Sequence, residues 1–278
     1  MKRRSFWLLF GLGWLCSLGL LVLPGSLPLQ ALPPTPLEVA SASSQEPAGI
    51  FRATRRGDKL IFQVRADQLN QDYLCITSLA SGLGVGYLIN GFPLDSFVVR
   101  LQRVDQALHF VLPNLNLRVQ PDDPLRFNLQ RSFSDSVLYR LPILSESAET
   151  GLLEIDATGM FLTRTDLAGI GNYFDNAYVI DPERSHFESV KSFPKNVEIQ
   201  AVYGFSARSS SNLPFSGLVP DGRAFNLAVH YSFSELPRDN AYVPRLADSR
   251  VGYFINAYKD LSDTQSREPF VRYVQRWR

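Results

Sequence analysis

Alternation of apolar and polar residues is the feature of this sequence that most constrains its fold. Every second residue is apolar in two long stretches, 197–205 and 225–233, and again at 60–64. A period of two places these side chains on one face of an extended strand, as in the half-buried strands of an antiparallel sheet. We therefore predict a mainly β fold of antiparallel sheets and hairpins, with a few short helices and a minor α+β character.

Turn residues indicate how two pairs of strands are connected. The turn at 56–58, which contains a glycine, predicts a hairpin over residues 50–65. Asp105-Gln106 predicts a second hairpin between strands at 97–103 and 107–112. Consecutive strands joined by such short turns lie next to each other in an antiparallel sheet.

Helical patterns are scarce and short. Phe133, Val137 and Leu141 have a spacing compatible with a helix that ends at Pro142. A second short helix is predicted at 157–163, because an aspartate at position 156 is well placed to cap its N-terminus. We expect no long amphipathic helix.

The first 31 residues have the order of a secretory signal. Three basic residues at 2–4 precede an uncharged run at 6–22, and Ala31 offers a small residue at a cleavage point. The run is long enough that an uncleaved membrane anchor at 6–23 is the alternative. In both cases we expect the protein to be exported, to the periplasm or the extracellular space, with membrane contact only through this segment.

The rest of the chain divides into a linker and one β-rich region. Residues 32–48 are rich in proline, serine and alanine and predict a linker, and 49–278 form the predicted domain region. With 45% hydrophobic residues and a net charge of only +1, the chain has a globular composition and no basic excess for a nucleic-acid partner. Cys75 lies in an apolar run and is predicted to be buried.

No motif for metal binding is present. The three histidines, His109, His186 and His230, form no His-Glu-x-x-His pair, and the His-x-Glu at 186–188 has no Cys-x-x-Cys after it. His109 and His230 fall on the less apolar faces of predicted strands, where a partly exposed structural histidine is the usual finding. We therefore expect no metal ligand and no cofactor in this chain.

Signals for nucleophilic or acid–base catalysis are also missing. Residues 204–208 lack the last glycine of Gly-x-Ser-x-Gly. The loop at 82–86 is glycine-rich and predicts a hairpin loop, with close approach of a ligand or another backbone as the alternative. Asp122-Asp123 predicts an exposed turn, and Asp135 is a candidate to cap a helix start. We identify no catalytic residue.

Four segments carry a family resemblance: residues 131–136, 193–198, 245–254 (followed by Tyr258-Lys259-Asp260) and 271–278. In this order the chain resembles the N-terminal domain-of-unknown-function region of large bacterial exported zinc-dependent, metzincin-like metalloproteases. The resemblance runs from about residue 49 to 278. It implies a region that lies before a catalytic domain in the family.

The resemblance implies that the chemistry is carried out by another domain. The catalytic residues of the family lie in a later His-Glu-x-x-His-x-x-Gly-x-x-His motif, which holds the zinc, and no position here matches it. We therefore expect a noncatalytic accessory region, truncated at its C-terminus, that supports or shields the catalytic domain. The partner would be that domain, in cis in the family or as a downstream product of a split gene.

The resemblance also indicates where this partner would make contact. Because segment 245–278 adjoins the catalytic domain in the family, we expect an interface formed by its arginine and aromatic side chains: Arg250, Tyr253, Arg272, Tyr273, Arg276 and Trp277. If the last strand is a sheet edge, strand addition is a natural mode of contact. The alternative is that these arginines form an ordinary solvated face with local ion pairs.

Two other functions remain open at this stage. A free-standing exported binding module for peptide or glycan would use exposed aromatic side chains and would show a large exposed apolar patch. A complete enzyme with an unfamiliar site would bring two histidines and a carboxylate together in a pocket. An apolar patch confined to the last strand would instead favour the accessory region.

Overall fold

Antiparallel β structure dominates the computed structural model, which describes residues 49–164, 166–174, 177–211, 213–237, 242–262 and 269–275. The predicted export signal at 1–31 and linker at 32–48 lie outside the described residues. The strands are β1 (Arg52–Arg56), β2 (Lys59–Val64), β3 (Asp72–Leu79), β4 (Pro93–Val104), β5 (Ala107–Leu112), β6 (Leu117–Arg118), β7 (Ser136–Glu146), β8 (Leu153–Asp156), β9 (Tyr178–Ser192), β10 (Asn196–Ala207), β11 (Ala224–Glu235), β12 (Ile255–Asp260) and β13 (Phe270–Val274).

Ten of these strands form one antiparallel sheet in the order β1-β2-β8-β7-β5-β4-β3-β11-β10-β9. Both predicted hairpins are confirmed. Arg56 pairs with Lys59 across the first turn, and Val104 pairs with Ala107 across the second. The two strongly alternating stretches are the neighbouring strands β10 and β11. The predicted mainly β fold is therefore correct.

The described residues contain two α-helices, and both are short. They are α1 (Leu125–Ser132) and α2 (Thr158–Leu162), and three 3-10 turns cover Ala66–Gln68, Asp166–Ala168 and Ile170–Tyr173. The helix predicted at 157–163 is confirmed as α2. The Asp156 carboxylate accepts a hydrogen bond from the Thr158 amide at 3.0 Å, so it stabilises the start of α2 from the position before the N-cap residue.

The helix predicted through Phe133, Val137 and Leu141 is wrong. Residues 136–146 form β7, in which the side chains of Tyr139 and Leu141 are buried with a period of two. Pro142 does not end a helix. It lies where the pairing of β7 passes from β5 to β8, a place where a missing N–H is tolerated.

Aromatic side chains show that the large sheet curls over on itself. The rings of Phe62 on β2 and Phe233 on β11 have centroids 6.5 Å apart, although five strands separate β2 from β11 in the sheet. Phe161 of α2 is fully buried and contacts both rings. The inner face of the sheet and α2 therefore enclose the core.

The first and last strands of the sheet, β1 and β9, meet through side chains. The Ser192 hydroxyl accepts a hydrogen bond from the Ala53 amide and donates one to the Ala53 carbonyl, both at 2.9 Å. Arg55 donates to the Phe187 carbonyl at 2.6 Å. These bonds satisfy edge groups that a neighbouring strand would otherwise pair with, so the sheet is nearly closed.

The remaining strands form a small sheet in the order β13-β12-β6. β12 is antiparallel to β13 and parallel to β6. Backbone bonds from Lys259 to Asn116 and from Leu261 to Arg118 fix β12 to the chain around β6. Among the described residues, no helix has the length and apolar character needed to cross a membrane.

Candidate interaction surface

One face of the small sheet borders an open groove of about 670 Å³. Cross-strand pairing places Lys259 opposite Phe270 and Ala257 opposite Arg272 on this face. The groove also includes the irregular segment that precedes β12. We call it the apolar groove, and its main lining residues are Leu246, Val251, Tyr253, Ile255, Phe270 and Arg272.

The segment beside the apolar groove carries unusually exposed apolar side chains. Phe254 is 86% exposed, Val243 72% and Leu246 63%. Among the described residues, these are three of the five most exposed large hydrophobic side chains. Several such side chains within twelve residues, next to an open groove, make this segment the candidate contact surface.

Of the predicted interface residues, Tyr253 and Arg272 lie together in the apolar groove. The Arg272 guanidinium lies 5.5 Å from the centroid of the Phe270 ring, a cation–π arrangement that holds both side chains against the sheet. Arg276 and Trp277 lie outside the described residues.

Arg250 lies in a turn beside the groove and points back to its own turn. It donates to the Asp248 carboxylate, and the Arg250 amide donates to the same carboxylate at 3.0 Å. These hydrogen bonds hold the pKa of Asp248 down at about 2. This geometry fits the alternative of an exposed arginine with a local ion pair.

Tyr273 lies on the opposite face of the small sheet. This face and the outer face of β3 and β4 border a second opening of about 650 Å³. We call it the tyrosine cleft, and its main lining residues are Phe97, Arg118, Tyr242, Asn256, Tyr258 and Tyr273. Burial, with a hydrogen bond to Tyr273, raises the pKa of Tyr258.

The outer edge of β13 is already occupied by the chain itself. Leu246 forms a β-bridge with Tyr273, the Ala247 amide donates to the Arg272 carbonyl, and the Val274 amide donates to the Arg245 carbonyl. Strand addition on this edge would first require residues 245–247 to leave. The groove beside the strand, rather than the edge itself, is therefore the accessible feature.

Four residues of this surface were not predicted: Leu246 lines the apolar groove, Arg118 and Tyr258 line the tyrosine cleft, and Phe254 is exposed close by in sequence. Leu246 and Phe254 lie in a stretch without period-two alternation, between Pro244 and β12. Apolar residues in such an irregular stretch have no sheet face to bury them. Their lack of alternation in the sequence could therefore have predicted that they are exposed. Arg118 and Tyr258 meet only through the pairing of β6 with β12, which the sequence does not reveal.

The three histidines do not converge. His109 is on β5, His186 on β9 and His230 on β11, and none of these strands neighbours another of the three in the sheet. The Nε2 atom of His230 lies 2.8 Å from the Glu198 carboxylate on the outer face. Within the described part of the chain, no group of three potential metal-ligating side chains comes together.

The other candidate positions have structural roles. Cys75 is fully buried, as predicted, and burial raises its pKa. The loop at 82–86 turns back on itself as the predicted hairpin loop: Val85 forms an antiparallel bridge with Leu88, and a Cβ atom on Gly82 would clash with the Leu88 carbonyl oxygen. Asp135 does not cap a helix: it accepts the Asn114 amide at 2.8 Å, just before β7 begins.

The fold and this surface define the chain as a β-rich domain with two open grooves around a small accessory sheet. Residues 91–278 match the family described as a domain of unknown function, DUF5117. The match covers more than half of the chain, and the chain belongs to this family. Neither the curated proteins nor the solved structures gave a match.

The family match begins within the loop before β4, whereas the structural unit begins earlier. β3 lies between β4 and β11, both of which are inside the matched residues. Because a central strand cannot be removed without exposing the backbone groups of both neighbours, β3 is part of the same folding unit. The described fold therefore extends beyond the matched residues on the N-terminal side.

Proposed function

We propose that this protein is a noncatalytic accessory region of an exported zinc-dependent metalloprotease that supports or shields a catalytic domain. The observation that carries the proposal is a run of highly exposed apolar side chains, Val243, Leu246 and Phe254, close in sequence and next to the last strand. Leu246 forms a β-bridge with Tyr273, and the Phe254 carbonyl accepts a hydrogen bond from the Gln275 amide. These side chains gain most from burial against a partner, because burial removes their apolar surface from water.

The position of this run of side chains in the sequence supports the same proposal. It lies in and next to segment 245–254, one of the four segments that resemble the metalloprotease family. Tyr253 and Arg272, two of the residues expected at the interface, line the adjoining groove. An aromatic and an arginine side chain at the centre of an apolar surface are typical of binding hot spots.

The tyrosine cleft favours a second function, a free-standing exported binding module for peptide or glycan. Tyr242, Tyr258 and Tyr273 line one opening of a size usual for ligand sites. Such a module would bind its ligand without any peptidase partner, whereas an accessory region would be found with one.

The accessory role is tested by purifying the tagged full chain from its own cells and assaying the sample for zinc and peptidase activity. We expect chelator-sensitive peptidase activity to co-purify with the chain. The double variant Leu246→Ser, Phe254→Ser removes two exposed apolar side chains and should lower that activity at least tenfold.

The matched control is Phe127→Ser, because Phe127 is 62% exposed and lies on α1, outside both grooves. It should leave the co-purified activity unchanged. Equal activity with the double variant and the wild type would rule out this surface as the contact. The absence of any co-purified peptidase would favour the binding module instead.

A further inference from the structure

The tyrosine cleft has a lining suited to one kind of peptide. The ring centroids of Tyr258 and Tyr273 lie 6.2 Å apart, and Tyr242 lines the cleft as well. Grooves lined by aromatic rings are the usual receptors for polyproline II segments, whose fixed backbone torsions reduce the entropy lost on binding.

The cleft also offers side-chain hydrogen-bond donors. Asn256 accepts a hydrogen bond from the Gln275 side chain through its oxygen at 2.7 Å, which leaves the NH₂ group of Asn256 out of this bond. A polyproline II segment makes no hydrogen bonds within itself, so its carbonyl oxygens need donors of this kind.

Arg118 is the one charged side chain among the described residues that line the cleft. Its guanidinium lies 4.2 Å from the centroid of the Tyr258 ring, and no carboxylate of the described residues forms an ion pair with it. Asp260 is its cross-strand neighbour and accepts the Ser262 amide at 2.9 Å, but it does not line the cleft. No acidic side chain lines the cleft, so a ligand with one carboxylate complements it.

From these observations we infer that the tyrosine cleft binds a proline-rich peptide segment that carries an acidic side chain and belongs to another protein molecule. The tyrosines stack against the prolines, the amide side chains bind the peptide carbonyls, and Arg118 pairs with the acid. The inference rests on the second candidate function, for which it names the ligand class. It does not depend on the accessory role, because the cleft and the apolar groove lie on opposite faces of the small sheet.

A labelled synthetic peptide with the sequence of residues 32–39 is a suitable probe, because it combines three prolines with one glutamate. Its binding to the full chain is measured by fluorescence polarisation. We expect saturable binding that falls about tenfold with Tyr258→Ala or Arg118→Gln, equivalent to ~1.4 kcal/mol. A peptide with glutamine in place of the glutamate should bind the wild type more weakly than the original peptide does. The two peptides should bind the Arg118→Gln variant with equal affinity.

The matched control is Tyr253→Ala, a tyrosine in the apolar groove, and it should leave binding unchanged. Thermal melting of each variant shows that it is folded. A lack of saturable binding to the wild type, or an equal loss with Tyr253→Ala, would overturn the inference. The peptide is also tested with a chain that carries Pro33→Ser and Pro36→Ser. If the peptide binds this variant more tightly than the wild type, the chain's own proline-rich segment competes for the cleft. That result would overturn the assignment to another molecule.

Discussion

Single side chains connect strands that are distant in sequence, and Glu154 is the clearest case. Its carboxylate on β8 accepts hydrogen bonds from Arg56 on β1, Gln63 on β2 and Ser145 on β7. Four strands of the large sheet therefore meet at one acid. The bond from Arg56, followed by that from Gln63, lowers the pKa of Glu154 to about 2.

This pKa predicts an acid-dependent loss of stability. A carboxylate whose pKa is lowered in the folded state stabilises the fold at any pH above its unfolded-state pKa of 4.5. This stabilisation is lost as the pH falls from 4.5 through the folded-state pKa of about 2. Glu154→Gln should lower the free energy of unfolding at pH 7 by about 1 kcal/mol. It should also weaken the pH dependence below 4.5.

Urea unfolding at pH 7 and at pH 3 measures both effects. Glu146→Gln is the control, because Glu146 pairs with Arg103 alone and is more exposed, so its effect should be smaller. An unchanged pH dependence in Glu154→Gln would contradict this account of the carboxylate.

Cys75 gives a second prediction at the scale of the residue. Its thiol is fully buried and its pKa is raised, so the reactive thiolate is not formed in the folded protein. The chain has a second cysteine, Cys16, which is replaced by serine so that only Cys75 can react. In this variant a thiol reagent should leave Cys75 unlabelled under native conditions and label it fully in urea. Rapid labelling of the native chain would show that this part of the sheet opens.

Among the secondary-structure elements, the short helix α2 contributes a large buried side chain, Phe161, to the core. Phe161 contacts Phe62 on β2, Phe187 on β9 and the rings of β11, which belong to distant parts of the sheet. One side chain therefore fills the space that the curled sheet encloses.

Phe161→Ala should lower the free energy of unfolding by about 3–5 kcal/mol, because it removes a buried ring and leaves a cavity. Phe127→Ala on α1 is the matched control and should change stability by less than about 0.5 kcal/mol, since its ring is exposed. Urea denaturation compares the two. Similar losses in both variants would contradict the position of α2 in the core.

The hairpins and the strongly alternating strands were predictable from sequence, because apolar alternation and turn residues act locally. β7 was not, since Val137 and Leu141 fit a helical spacing as well as a strand. Only pairing with β5 and β8 decides between them. α1 was missed because it buries no residue fully, so it has no apolar face for a pattern to reveal.

At the scale of the whole molecule, near-closure of the sheet depends on the contact between β1 and β9. Ser192 uses its hydroxyl group as both donor and acceptor to the Ala53 backbone. Ser192→Ala removes both bonds and should lower stability by about 1–2 kcal/mol. Hydrogen exchange at the Ala53 amide should become faster, while amides at the β10–β11 pairing stay protected.

If hydrogen exchange in Ser192→Ala became faster by the same factor across the whole sheet, the contact between β1 and β9 would have no local role. We call this contact the seam. The sequence could not predict the seam, because residues 53 and 192 are far apart in the chain and neither belongs to a motif. The candidate surface could be predicted only in part. Arg272 and Tyr253 were predicted as interface residues. The groove and the cleft themselves arise only when the small sheet forms beside β3 and β4, which the sequence does not reveal.

The accessory role remains a proposal, and it predicts that the chain has no chemistry of its own. The most direct test measures zinc content and peptidase activity of the full chain produced alone in a foreign host. We predict no stoichiometric zinc and no peptidase activity above that of a control preparation. Stoichiometric zinc or chelator-sensitive activity in the chain alone would contradict the account and direct attention back to His109, His186 and His230.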